Sequence, residues 1–70
     1  MLNPLPARLS AEGRVATWNP ALTRAAHVVL RVRLAAGEIE ERLSTNSGRA
    51  RVREDERIEA VCVAEGGGDA

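Results

Sequence analysis

Large core-forming side chains are the scarcest component of this 70-residue sequence: Trp18 is its only aromatic, and it has no Phe or Tyr. Aromatic side chains bury the most area each, so their near absence limits what a core can contribute. Twelve alanines and seven valines dominate the apolar inventory, and each buries little at roughly 25 cal/mol per Å². A chain this short buries only about 60% of its unfolded surface and usually draws on a disulfide, a metal or a partner. Cys62 is the only cysteine, which excludes a disulfide framework or a Cys-based zinc site within one chain. Another chain is the remaining source of burial. The sequence therefore predicts one domain that completes itself as a homo-oligomer or against a partner protein.

The clearest local signal is Asn19-Pro20. Asparagine is a favoured helix N-cap because its side-chain oxygen accepts a hydrogen bond from an orphan backbone N–H. Proline is favoured at the first helical position, where its missing donor costs nothing. Beyond it, Leu22, Ala25, Val29, Val32, Ala36, Ile39 and Leu43 recur in steps of three and four, an a/d stripe over three heptads. The spacing predicts an amphipathic helix over 20–43 whose stripe is the oligomer interface. Gly37 falls on its solvent side, at a cost of about 1 kcal/mol relative to alanine. Ser44-Thr45-Asn46-Ser47-Gly48 reads as a turn. A second helix is expected within 49–65, where Arg51/Asp55, Asp55/Glu59 and Arg53/Glu56 fall at helical charge-pair spacing. The expected fold is all-α: an N-terminal arm over 1–19, a homodimeric helical hairpin over 20–65, and a disordered tail over 66–70.

A second pattern competes over 26–34. Val28, Leu30, Val32 and Leu34 alternate with Arg31 and Arg33, the period of two of a half-buried strand. It accounts for Leu30 and Leu34, which the heptad leaves on its outer face, but not for Asn19-Pro20. Val61-Cys62-Val63 also has strand character. The alternative is thus an α+β chain with a strand at 26–34 and a C-terminal strand. Against a hairpin near the C-terminus, Glu54-Asp55-Glu56-Arg57 lacks the glycine or asparagine of a tight reversal.

Ten arginines balance ten acidic residues, with no lysine. Zero net charge argues against a bulk nucleic-acid coat or a polybasic membrane binder. No apolar run approaches the roughly 20 residues of a membrane span, and Met1–Pro6 lacks the regions of a secretory signal. A cytoplasmic protein with one reduced thiol is expected, and the lysine-free, alanine-rich usage is that of a GC-rich bacterial or phage genome. The zero conceals a division. Residues 1–36 carry five arginines against Glu12, a net +4, and residues 37–70 carry five against nine acids, a net −4. Segments of opposite sign pair favourably within a chain or between chains.

Nothing in the sequence assembles a catalytic, cofactor or metal site. His27 is flanked by Arg24 and Arg31, whose charge disfavours a metal ion, and no second His is present. Cys62 between two valines predicts a buried, inert thiol. Adjacent acids such as Glu40-Glu41 and Glu54-Asp55-Glu56 read as solvated faces. The expected function is a small protein-interaction module, a regulator or inhibitor that occupies a partner's surface. Trp18, Arg24, Leu30, Arg31 and Leu34 would face that target, the arginines pairing bidentately with carboxylates.

The stretch 37–53 resembles a bacterial helix-turn-helix, with Ile39 and Leu43 anchoring a first helix and Ala50 a second. Glu40, Ser44 and Arg53 stand where the motif has a small residue, a glycine and an aliphatic side chain. The resemblance implies, as the alternative function, a DNA-binding regulator using 38–53. Arg49, Arg51 and Arg53 would then reach phosphates or guanine edges.

Overall fold

Over 27–33 the period of two prevails. A computed structural model, which describes residues 1–64, places His27–Arg33 in a strand with Val28, Leu30 and Val32 facing the interior and His27, Arg31 and Arg33 facing solvent. Valine's branched Cβ restricts χ1 against a helical turn and packs well on a pleated surface, which tips the local balance. Alternation also buries Leu30, which the heptad wasted on solvent.

The remaining segments follow the same rule. Among the described residues there is no α-helix, so the all-α helical hairpin is replaced by an all-antiparallel β fold. The strands are β1 (Leu2–Pro4), β2 (Ala7–Ser10), β3 (Val15–Trp18), β4 (His27–Arg33), β5 (Ile39–Thr45), β6 (Arg49–Arg51) and β7 (Arg57–Ala64). One sheet has the order β1-β7-β4-β5, the other β2-β3-β6. Residues 2–18, expected as an arm, supply strands to both sheets, the chain crossing between them at Leu5-Pro6. The tail over 66–70 lies outside the described residues.

Asn19-Pro20 does start a helical turn. The Asn19 side chain accepts from the Ala21 N–H at 3.0 Å, with Pro20 at the first position. The turn is 3₁₀ and stops at Leu22, because the chain beyond it is committed to β4. The cap chemistry is local and was legible. The helix length was not.

The core lies between the sheets. Val28, Leu30, Val32, Ile58, Val61 and Val63 come from the larger sheet, and Ala16 and Trp18 from the smaller, with Val52 just beyond β6. Ile58 and Val61 are three residues apart and would face opposite sides of a regular strand. A shift of register opposite Arg31/Val32 pairs Arg31 with Ala60 but Val32 with Ile58. This bulge inserts Glu59 as the extra residue, so both Ile58 and Val61 point inward. It also disposes of the sequence objection to strands near the C-terminus. β6 and β7 belong to different sheets, so Glu54-Asp55-Glu56 need not form a tight hairpin.

Candidate functional site

The surface divides by sheet. On the larger sheet, register places Pro4, Cys62, Val29 and Leu43 in one row across the outer face, with Ala60, Arg31 and Glu41 in the next. Val29 is half-buried and Leu43 is 72% exposed. Cys62, buried as its flanking valines led us to expect, is a free thiol. Charges here are neutralised in pairs: Arg31 with Glu41 at 3.5 Å, and Arg33 with Glu59 at 2.7 Å. Both join a cation of the positive half to an acid of the negative half, the within-chain form of the expected attraction.

A tighter ion pair stands at the end of the core. Arg42, on the inner side of β5, grips Glu56 with both guanidinium nitrogens, Nη1 to Oε1 at 3.0 Å and Nη2 to Oε2 at 2.6 Å. Nη2 also reaches Glu40 at 3.1 Å. The Arg53 N–H donates to Glu56 Oε1 at 3.1 Å, so the carboxylate, 5% exposed, is satisfied on both oxygens. The Arg42 hydrogen bonds, then the Arg53 N–H, hold the Glu56 carboxyl down to about 2, well below its ordinary 4.5. The clamp ties β5 to the β6–β7 connection. Sequence reading placed Glu56 in a solvated acidic run and paired it with Arg53 at helical spacing, because nothing local marks Arg42, 14 residues away, as its partner.

β5 is an edge strand, and its free side can be identified. The Leu34 N–H donates to the Glu38 carbonyl, and the Asn46 N–H to the Ala26 carbonyl. Hydrogen-bonded and non-bonded pairs alternate along an antiparallel ladder. The pairs between these two, Val32·Glu40, Leu30·Arg42 and Val28·Ser44, are therefore the bonded ones. Ile39, Glu41 and Leu43 turn their N–H and C=O groups away from β4, towards an edge that no strand covers among the described residues.

The sequence-derived site residues separate accordingly. Trp18 (7% exposed) and Leu30 (5%) are core, and Leu34 packs half-buried against it. These side chains face the interior instead of a target. Trp18 donates through Nε1 to Asn46 Oδ1 at 2.8 Å, while Asn46 Nδ2 donates to the carbonyls of Pro20 and Ala25. Arg24 is exposed in the loop before β4, and Arg31 is paired. The heptad stripe dissolves: Val32 faces inward, and Val29, Ile39 and Leu43 share the outer face. Leu22 ends the 3₁₀ turn, Ala25 lies in the loop before β4, and Ala36 sits in the turn between β4 and β5.

Arg49, Arg51 and Arg53 are exposed along β6 and its continuation, alternating with Ala50 and buried Val52. They are carried by a strand, and the helix-turn-helix geometry over 38–53 is absent. A shallow cleft of about 350 Å³ beside them is lined by Ala11, Arg14, Val15, Arg51, Val52 and Glu54. Among the described residues, no group of three or more His, Cys, Asp or Glu is placed to hold a metal ion, and no helix is long and apolar enough to cross a membrane. No protein-family model, no curated protein and no solved structure matches the chain.

Proposed function

We propose that this chain is a small protein-interaction module that works by strand addition at the β5 edge, with a second copy of itself as the occupant. The observation that carries the reading is the free side of β5: a seven-residue strand with no proline, glycine or bulge, offering outward-facing backbone groups from Ile39, Glu41 and Leu43. Such an edge is a ready template for another strand.

Charge and apolar pattern favour a copy of the same strand. A twofold axis at Glu41 sets Ile39 opposite the second copy's Leu43, and Glu40 opposite its Arg42, each contact occurring twice. Apolar and opposite-charge cross-strand pairs each contribute roughly 0.2–1 kcal/mol. The one like-charge contact, Glu41 with its copy, is flanked by an Arg31 from each side, since Arg31 already pairs with Glu41. The two larger sheets then join into one of eight strands. A twofold contact is self-complementary and closes at the dimer.

The test is sedimentation over a protein concentration series with Leu43→Pro as the variant. The Leu43 N–H faces the free edge, so proline there removes a donor that the monomer does not use. Wild type should dimerise with rising concentration, while Leu43→Pro stays monomeric with an unchanged β-type circular dichroism spectrum. A wild type that is monomeric up to millimolar concentration, or a Leu43→Pro dimer of wild-type affinity, overturns the proposal.

A further inference from the structure

Arginines without a carboxylate partner gather on the outer face of the smaller sheet, and we infer that this face is a binding track for the phosphate backbone of a nucleic acid. Register places Arg8, Thr17 and Arg49 in one row across β2, β3 and β6, and Ser10, Val15 and Arg51 in the next. The alternating neighbours Ala16 and Trp18 lie in the core, and Ala50 packs against it. That leaves Arg8, Arg49 and Arg51 facing out, all three exposed. Arg53, also exposed, continues the alternation past the end of β6.

The charge balance of the whole molecule makes this face distinctive. Arg31, Arg33 and Arg42 on the larger sheet are each neutralised by a carboxylate, and Arg57 in β7 is turned to the carbonyls of Glu54 and Glu56. Among the described residues, Arg8, Arg49 and Arg51 form no ion pair. Zero net charge thus coexists with a face of one sign.

Spacing and chemistry select the ligand. Arg49 and Arg51 are about 7 Å apart along the strand, and Arg8 lies about 10 Å from Arg49 across β3. The first separation is of the order of that between successive phosphates on one nucleic-acid strand. Planar guanidinium forks bind phosphate oxygens bidentately, and the Ser10 hydroxyl in the second row is a further donor, while the Thr17 hydroxyl donates to the Arg8 carbonyl at 3.5 Å. The cleft at the end of the track sets Arg51 and Arg14 around a concavity, although Arg14 also reaches Glu12 at 3.7 Å and Glu54 lines the same wall. No aromatic projects from the face to serve as a stacking platform for bases. Backbone contacts alone position a nucleic acid without reading its sequence. An anionic lipid surface would call for protruding apolar anchors, and Val15, the one aliphatic side chain in these two rows, is buried.

The inference is independent of the β5 edge, and fluorescence anisotropy tests it with a labelled mixed-sequence DNA oligonucleotide, single-stranded and as a duplex, titrated at several salt concentrations. Three phosphate contacts give a slope of log K against log salt of about −2 for the single strand and about −2.7 for the duplex. Arg49→Ala and Arg51→Ala should each reduce the slope by about one contact's share, roughly 0.7–0.9. Glu54→Gln should tighten binding a few-fold, and Arg33→Ala, on the larger sheet and paired with Glu59, should leave the slope unchanged. Leu43→Pro should keep the per-protomer slope, which separates failure here from failure of self-association. The inference is overturned if neither oligonucleotide binds at low salt, or if the slope ignores Arg49→Ala and Arg51→Ala. Preferential binding of anionic phospholipid vesicles or of polyglutamate over both oligonucleotides overturns it equally.

Discussion

The two edges of the larger sheet are built in opposite ways. β1 has three residues and ends in Pro4, which has no N–H to offer, and Leu5 beyond it donates inward to the Val61 carbonyl at 2.7 Å. Short length and proline are common devices for blunting a sheet edge. β5 has seven residues and neither device. Its charges would ordinarily discourage a second strand. Here they are already engaged within the chain, Glu41 with Arg31 and Arg42 with Glu56 and Glu40. One edge is closed by backbone chemistry, and the other stays open with its charges largely neutralised. An edge strand's readiness to pair thus depends less on how many charges it carries than on where those charges are already bound.

The largest effect is expected from moving a proline by one residue along β5. Ser44 bonds inward to Val28, which is fully buried. Ser44→Pro therefore removes a ladder donor and strands a buried carbonyl, at a cost of ~3 kcal/mol. Leu43→Pro disturbs only the open side. Thermal denaturation followed by circular dichroism should show a large drop for the first and little for the second. A larger drop for Leu43→Pro than for Ser44→Pro would mean that the ladder alternates the other way round.

Acid provides the next test, because the open edge is anchored by Glu56. Its carboxyl is held near 2 in the folded chain against an ordinary 4.5, so the folded state favours the ionised form. The stability it contributes is fully present above about 4.5 and is lost as pH falls through about 2. The midpoint of wild type should fall across that window. Glu56→Gln, less stable at neutral pH, should show a flatter profile there. A profile parallel to wild type would remove Glu56 from the account of acid sensitivity.

The smallest effect sharpens the comparison at the proposed twofold. Glu41→Gln removes the like-charge contact, and a dimer centred there should tighten about threefold, in keeping with cross-strand pair energies of a few tenths of a kcal/mol. Sedimentation equilibrium resolves such a change. A weakened dimer would move the axis to another register.

What could be read in advance follows physical range. The alternation Val28/Leu30/Val32 against Arg31/Arg33 was visible and correct, yet a three-four stripe through Leu22, Val29 and Leu43 was visible too. Short amphipathic segments fit both periods. Arg49, Arg51 and Arg53 were singled out as basic, but their carrier was misread, since the same alternation that exposes them is a strand signature. The Arg42–Glu56 clamp, the bulge at Glu59 and the Trp18–Asn46 hydrogen bond join residues far apart or depend on pairing with another strand. No local pattern announces them.

The sequence by itself determined what depends on near neighbours: the Asn19-Pro20 cap, a buried thiol between valines, a thin aliphatic core and an arginine-only cation set. Tertiary structure decided the rest. It chose strand over helix, because only two facing sheets bury Val28, Leu30, Val32, Ile58, Val61 and Val63 around Trp18 together. It also decided which charges are neutralised and which stand free, since cross-strand register brings Arg31 to Glu41 while leaving Arg8, Arg49 and Arg51 on a face without acids in register. Burial is a collective property of the folded chain, and so is the partnering of charge.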